Sequence, residues 1–337
     1  MAENEVWIFA EQEDGVLNSV ALELTGKARQ LADELRTKVG AVLLGYHCEA
    51  LAKELAAHGA DTIYLADHPA LRYYRTLPYA RVICDLVREH RPQIVIYGAT
   101  VVGRDLAPRI ASELWTGLTA DCTDLQIGDY DDPFTSRHHD QILYQIRPAF
   151  GGNVIATIVG PNHRPQMATV REGVMKLTPA DNHRPFQTIP VTPRITDAEE
   201  VVEIIERHRT EREVDLRKAQ IIVSGGAGVG SKEGFDLLRE LANVLGGAVG
   251  ASRAAVDAGY ISKAHQVGQT GTTVRPRLYI ACGISGAVQH RAGMQESSKI
   301  IAINTNPDAP ILSMAHYAII GDLNQVIPMM IRAYRGH

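Results

Sequence analysis

The octapeptide Gly283-Ile284-Ser285-Gly286-Ala287-Val288-Gln289-His290 lies near the carboxyl end, preceded by Ser252-Arg253 and by Gly268-Gln269-Thr270-Gly271. Glycine lets a backbone approach a ligand closely, and the first turn of a helix offers free N–H groups and the positive end of its dipole. A glycine turn that runs into a helix at Ala287 therefore suits a diphosphate, although a plain strand-to-helix turn would use the same residues. A second turn, Ser224-Gly225-Gly226-Ala227-Gly228-Val229-Gly230, misses the G-x-G-x-x-G spacing, and no acidic residue follows the next strand to hold a ribose. A nicotinamide-dinucleotide fingerprint is thus not met. Arg253 and His290 offer a cation and an imidazolium, which could stabilise negative charge developing on a reduced redox ring. Asp322 could accept from a ribose or adenine donor, or simply cap a helix.

These groups matter only if one edge gathers them, and the apolar runs suggest that it does. From about residue 218, short runs at 221–223, 248–250, 278–281, 300–303 and 318–320 read as five buried strands, and each is followed by one of the polar groups above or by Asn304. Open α/β sheets bind nucleotides at that edge. Between them, Phe235, Leu238, Leu241, Ala242 and Leu245 share one face of a helix over 233–245. The first half alternates strand-like runs at 6–10, 39–44, 62–65 and 93–97 with helical periodicity at 17–35, 51–57, 79–88 and 106–114, the mark of a mainly parallel sheet with crossover helices. Runs at 118–125, 142–147, 153–159 and 166–171 have no helices between them and are expected to extend that sheet in antiparallel fashion or to form a small second one. The proline-rich and polar 179–193, then charged residues through Glu213, mark a boundary. The expected organisation is an α/β chain with two nucleotide-binding-type domains, 1–195 and 217–337, joined by a charged linker at 196–216.

Composition removes other classes. A net charge of −5 gives no basic footprint for nucleic acid. No run approaches the ~20 consecutive apolar residues of a membrane span, and residues 1–5 lack the basic start of a secretory signal, so a cytoplasmic location is expected. Cys48, Cys84, Cys122 and Cys282 are far apart in apolar segments, which suits core positions rather than a metal or iron–sulfur site. His138-His139-Asp140 has metal-ligating residue types, but adjacent histidines on an extended chain point apart, and no metal is expected there.

The stretch 249–259, then Gln266-Val267-Gly268-Gln269-Thr270-Gly271, 283–290, and Asn304 with Asp308-Ala309-Pro310-Ile311 closely resembles the alpha subunit of electron transfer flavoproteins. Gly98-Ala99-Thr100, Gly103-Arg104-Asp105-Leu106-Ala107-Pro108 and Arg147-Pro148-Ala149-Phe150-Gly151-Gly152-Asn153 extend the resemblance over essentially the whole chain. It implies a heterodimer with a beta subunit, a Rossmann-like second domain that binds one FAD, and a first domain packed on the partner. It also implies that Ser252 meets the pyrophosphate region, Arg253 lies over the flavin ring, Gln269 and Thr270 beside Gly268 contact its O4 and N5 side, and His290 faces O2. Ser285, Gly286, Ala287, Val288 and Gln289 would line the phosphates and ribityl chain, and Asn304, Asp322 and Leu323 would hold the adenosine end. No residue need act as a general base, because the flavin carries the chemistry.

The family usually reads Ser-Gly-Gly-Arg-Gly where this chain has Ser224-Gly225-Gly226-Ala227-Gly228, so one cationic contact to the FAD is missing. The family divides into carriers with one FAD here and an AMP in the beta subunit, and electron-bifurcating members with a second FAD there, which oxidise NADH. The 147–153 and 164–171 segments resemble the bifurcating, anaerobe-type branch. Partners then include an acyl-CoA dehydrogenase or similar acceptor, NADH, and ferredoxin or flavodoxin. A stand-alone NAD-dependent oxidoreductase or a non-redox nucleotide-binding module remain as rival classes; the first needs the missing fingerprint acid, and the second would purify colourless.

Overall fold

A computed structural model describes residues 4–149, 154–207, 214–217 and 219–335. The 150–153 part of the motif noted above, and 208–213 of the charged linker, lie outside these. The chain divides into two compact units, 1–207 and 208–337.

In the first unit the strands are β1 (Val6–Phe9), a short hairpin of β2 (Gln12–Glu13) and β3 (Val16–Leu17), β4 (Val39–Gly45), β5 (Thr62–Asp67), β6 (Ile94–Gly98), β7 (Leu118–Cys122), β8 (Asp124–Asp131), β9 (His138–Ala149), β10 (Val154–Ile158), β11 (Gln166–Val170) and β12 (Gln187–Pro190). The helices are α1 (Ser19–Leu35), α2 (Ala52–Ala57), α3 (Thr76–His90) and α4 (Val101–Glu113). Seven strands form one sheet in the order β12-β5-β4-β1-β6-β11-β7, and every pair in it is parallel. Side chains alternate across a strand, so Val6, Ile8 and Ala10 enter one core while Trp7 and Phe9 enter the other. Burial on both faces explains why these strands read as unbroken apolar runs.

Two expectations change here. The run at 118–125 is two strands, and β7 and β11 join the large sheet parallel rather than antiparallel, while β8, β9 and β10 form the small second sheet that was the other expectation. Within 179–193, β12 pairs with β5 as an edge strand, so this stretch is part of the sheet.

The second unit holds β13 (Ile221–Gly225), β14 (Ala248–Ala251), β15 (Leu278–Cys282), β16 (Lys299–Asn304) and β17 (Tyr317–Ile320), with α5 (Gly234–Leu245), α6 (Arg253–Asp257), α7 (Val288–Arg291), α8 (Pro310–Met314) and α9 (Leu323–Arg335). All five strands are parallel, in the order β14-β13-β15-β16-β17. Phe235, Leu238, Leu241 and Ala242 of α5 bury one face against this sheet, and α5 stops where Gly246 takes a left-handed φ of +67°. Because the strands are parallel, their carboxyl ends share one rim.

Candidate functional site

Numbered within the second unit, the strand order is 2-1-3-4-5, so the chain reverses direction across the sheet between β13 and β15. A crevice opens at such a switch point, outside the strand ends. The turns that leave β13 and β15 meet there: Gly226 N–H donates to the Cys282 carbonyl at 2.9 Å and Gly228 N–H to the Gly283 carbonyl at 3.0 Å. A Cβ on Gly226 would stand 2.7 Å from Ile284 Cα, and one on Gly228 2.9 Å from the Gly283 oxygen. Gly226, Gly228 and Gly283 are therefore glycines so that two protein backbones can touch. Ala227, between them, is exposed.

Beyond that joint the 285–287 backbone turns outward. Among the described residues, the N–H groups of Ser285, Gly286 and Ala287 donate to no acceptor, and the Ser285 side chain is exposed. Gly286 (φ +88°) packs on Ile311, whose N–H donates to the Ser285 carbonyl at 3.1 Å. The 268–270 loop is tied to the same place, since Gln269 N–H donates to the Gln289 carbonyl at 2.7 Å. Gly268 has φ +142°, and a Cβ there would meet the Gln289 oxygen at 2.9 Å. Thr270 Oγ1 accepts from Gln266 Nε2 at 3.0 Å, while Val288 and Gln289 are exposed. Ser252 follows β14, caps α6 by accepting from Ala255 N–H at 3.3 Å, and keeps its own hydroxyl hydrogen for another acceptor. Arg253 is exposed and pairs with Asp257 one turn along at 3.2 Å.

The adenosine-end residues do more structural work than expected. Asn304 donates through Nδ2 to the Ile284 carbonyl at 2.9 Å and accepts from Asn306 N–H at 2.9 Å, bracing the 283–287 turn. Asp322 accepts from Asn324 N–H at 2.9 Å at the start of α9, as a helix cap does, and Leu323 is buried beneath Gly283.

His290 is only 6% exposed, and its Nε2 lies 3.0 Å from the Tyr279 hydroxyl. Burial lowers its pKa to about 4, opposed by the Val267 carbonyl. The imidazolium expected from sequence is thus a neutral imidazole here, because the ring is withdrawn from water. Tyr279, fully buried beside it, was not expected at the site. Its only sequence signal is a polar group inside an apolar strand.

The first unit has its own switch point, between β1 and β6, where its first four long strands run in the order β5-β4-β1-β6. That crevice holds a carboxylate. Glu11 accepts from Thr100 Oγ1 at 2.5 Å, and Thr100 in turn caps α4 by accepting from Gly103 N–H at 2.9 Å. Burial raises the Glu11 pKa, the Thr100 and Asn18 bonds lower it, and the nearby Glu172 and Glu13 raise it again. A rim of carboxylates repels phosphate, so the second unit is the one suited to a nucleotide.

Asp129, His138 and Asp140 bring their ligand atoms within 4.8 Å of one another on exposed strands, where His138 pairs with Asp131 at 2.6 Å and Asp140 at 2.9 Å. His139, on the other side of β9, is not in the group. All four cysteines are buried and free, and burial pushes each thiol up to about 12.

Fold and site together define an α/β protein whose second unit has unengaged backbone N–H groups at the rim where open parallel sheets bind nucleotides. The donors there are backbone N–H groups and hydroxyls, which chemically match an acceptor-only group such as a pyrophosphate. Residues 6–194 match the electron transfer flavoprotein domain, and 215–295 the electron transfer flavoprotein FAD-binding domain. The chain is 53% identical over 328 residues to an electron transfer flavoprotein subunit alpha of Thermoanaerobacterium thermosaccharolyticum, covering 97% of this chain and 96% of that one. It is 48% identical over 333 residues to the alpha subunit of Megasphaera elsdenii, covering 98% and 96%. It is also 44% identical over 353 residues to the acryloyl-CoA reductase electron transfer subunit beta of Anaerotignum propionicum, covering 98% and 95%. The chain belongs to the electron transfer flavoprotein family, as an alpha subunit. Among the described residues no helix is long and apolar enough to cross a membrane.

Proposed function

We propose that this chain holds one FAD at the rim of its second unit and, as a heterodimer with a beta subunit, relays electrons between dehydrogenases in the cytoplasm. The observation that carries the reading is the run of unengaged N–H groups at 285–287, at the switch point and inside the segment matched as FAD-binding. In this reading Ser252 and residues 285–289 hold the pyrophosphate and ribityl chain, while Arg253, Gly268, Gln269, Thr270 and His290 surround the ring. Asn304, Asp322 and Leu323 shape the adenosine end. The flavin supplies the electron chemistry; the side chains bind, orient and tune it. Residues 1–195 form the platform for the beta subunit, 196–216 the connector, and 217–337 the flavin domain.

We place the heterodimer in the electron-bifurcating branch, with NADH as donor, a second FAD in the beta subunit, ferredoxin or flavodoxin as low-potential acceptor and an acyl-CoA dehydrogenase or similar enzyme as the other. The relative named as an electron transfer subunit of acryloyl-CoA reductase supports that last partner. The second reading is a simple carrier with one FAD and one AMP. Counting nucleotides released by denaturation of the co-purified heterodimer separates the two. Two FAD support bifurcation, one FAD with one AMP selects the simple carrier, and no flavin overturns both.

A further inference from the structure

The loop between β14 and β15 is built around one side chain that no binding role uses. Gln266 bridges in parallel to Ala251, the last residue of β14, and its neighbour Val267 donates its N–H to the Ala251 carbonyl at 2.9 Å. From there the chain folds back. Thr272 N–H donates to the Gln266 carbonyl at 2.7 Å, Gly268 N–H to the Thr272 carbonyl at 3.2 Å, and Gly271 N–H to the Gly268 carbonyl at 3.0 Å. The Gln269 bond to Gln289 then ties the loop to the segment that cradles the proposed diphosphate, so the backbone is closed by its own groups. The Gln266 side chain lies across this closed loop. It is buried, with the residue only 5% exposed, and a Cβ on Gly271 would stand 2.9 Å from Gln266 Cγ, so Gly271 is a glycine that leaves it room.

This buried amide reaches an exposed hydroxyl. Gln266 Nε2 donates to Thr270 Oγ1 at 3.0 Å, while Thr270 itself is exposed at the rim. A buried amide without a partner is costly, so the bond holds the amide as firmly as it holds the hydroxyl. A hydroxyl has two acceptor sites and one hydrogen, and its rotor turns to suit its partners. With Nε2–H on one acceptor site, the Thr270 hydrogen points away from Gln266, and among the described residues it meets no acceptor. The loop needs no such bond to close. What the amide adds is a direction for the Thr270 hydrogen.

We propose that Gln266 is a positioning residue of the flavin site: it touches no ligand, and by donating to Thr270 Oγ1 it turns the Thr270 hydroxyl hydrogen outward to the flavin ring. This rests on the FAD reading above. In that reading Thr270 stands beside N5, which is an acceptor in the oxidised ring, and Gln266 acts only through Thr270.

The test uses the whole heterodimer loaded with FAD carrying nitrogen-15 in the ring. Gln266→Met keeps the unbranched shape and the loop's backbone bonds and removes the amide, so FAD release on dilution should quicken about tenfold, one hydrogen bond at about 1.4 kcal/mol per decade. Thr270→Val should do the same. Adding Gln266→Met to Thr270→Val should then alter release less than about twofold, because residues that act through one another do not add. The N5 resonance of the oxidised flavin should shift in the same direction in either variant and no further in the pair, which general loosening of the loop would not produce. Gln266→Leu stands in should Gln266→Met fail to fold. Wild-type heterodimer that retains no FAD overturns the flavin reading and the role of Gln266 with it. Retained FAD with N5 unmoved by Gln266→Met, or faster release that persists in the Thr270→Val background, overturns the role of Gln266 alone.

Discussion

Replacing Gly286 by alanine sets two effects against each other that a matched substitution separates. Gly286 and Gly246 both have left-handed backbones, at φ +88° and +67°. An L residue there is strained by about 1–2 kcal/mol, so each alanine carries that term. Around Gly246, at the end of α5, a Cβ meets nothing within 4 Å. Around Gly286 it would stand 2.7 Å from Ile311 Cα and 2.9 Å from Ile311 Cβ, against 3.4–4 Å for ordinary contact. Ile311 is fully buried and bonded through its N–H to Ser285, so it cannot retreat. Overpacking of this kind adds about 1–3 kcal/mol. Gly286→Ala therefore loses about 2–5 kcal/mol in all, against about 1–2 kcal/mol for Gly246→Ala. The strain at Gly286 is relieved by moving the 285–287 turn, which carries the cradle's N–H groups. In the heterodimer, flavin-fluorescence titration of Gly286→Ala should show FAD bound at least tenfold more weakly, and a thermal scan should show a clear loss of stability. Gly246→Ala should bind FAD as the wild type does and melt only a few degrees lower. Equal FAD affinity in the two variants would refute the assignment of the cradle to this turn.

Ala227 is exposed between the two interlocked turns, where a longer side chain has room. Ala227→Arg should strengthen FAD retention by about 1.5–3 kcal/mol, one charge-assisted hydrogen bond, read as slower flavin loss on dilution. Unchanged retention would remove this position from the site. The pH response of His290 has a definite sign. Its folded pKa, near 4, lies below the ordinary 6.5, so the unfolded chain takes up the proton first. The stability linked to this ring is complete above about pH 6.5 and falls as pH drops toward 4, by up to about 3 kcal/mol. An NMR titration of the ring should give a midpoint near 4. A midpoint near 6.5 would show a solvated ring.

The sequence patterns read well where the signal was local. All five strands of the second unit were placed, because each is a short apolar run ending in a polar or glycine turn, and α5 was placed by its 3.6-residue stripe. Strand direction was not legible at 118–171. Pairing partners there are distant in sequence, and the absence of helices between runs did not reveal that β7 and β11 slot in parallel beside β6. β12 was missed because a proline and polar residues suit an edge strand as well as a loop. At the site, Gly226 and Gly228 were recognised as special, but sequence could not distinguish backbone meeting phosphate from backbone meeting backbone. His290 was found, but not its charge state, which depends on burial that only the fold creates.

Glu11 makes the two switch points differ in what meets their donors. In the first, a carboxylate of the chain itself answers Thr100 at the start of α4. In the second, the N–H groups at 285–287 have no acceptor among the described residues, and on the reading proposed above the folded state gains RT ln(1 + [FAD]/Kd) when FAD binds there. On that reading flavin supply adds stability to the second unit by mass action, so stripping FAD from the heterodimer should speed proteolysis within 217–337.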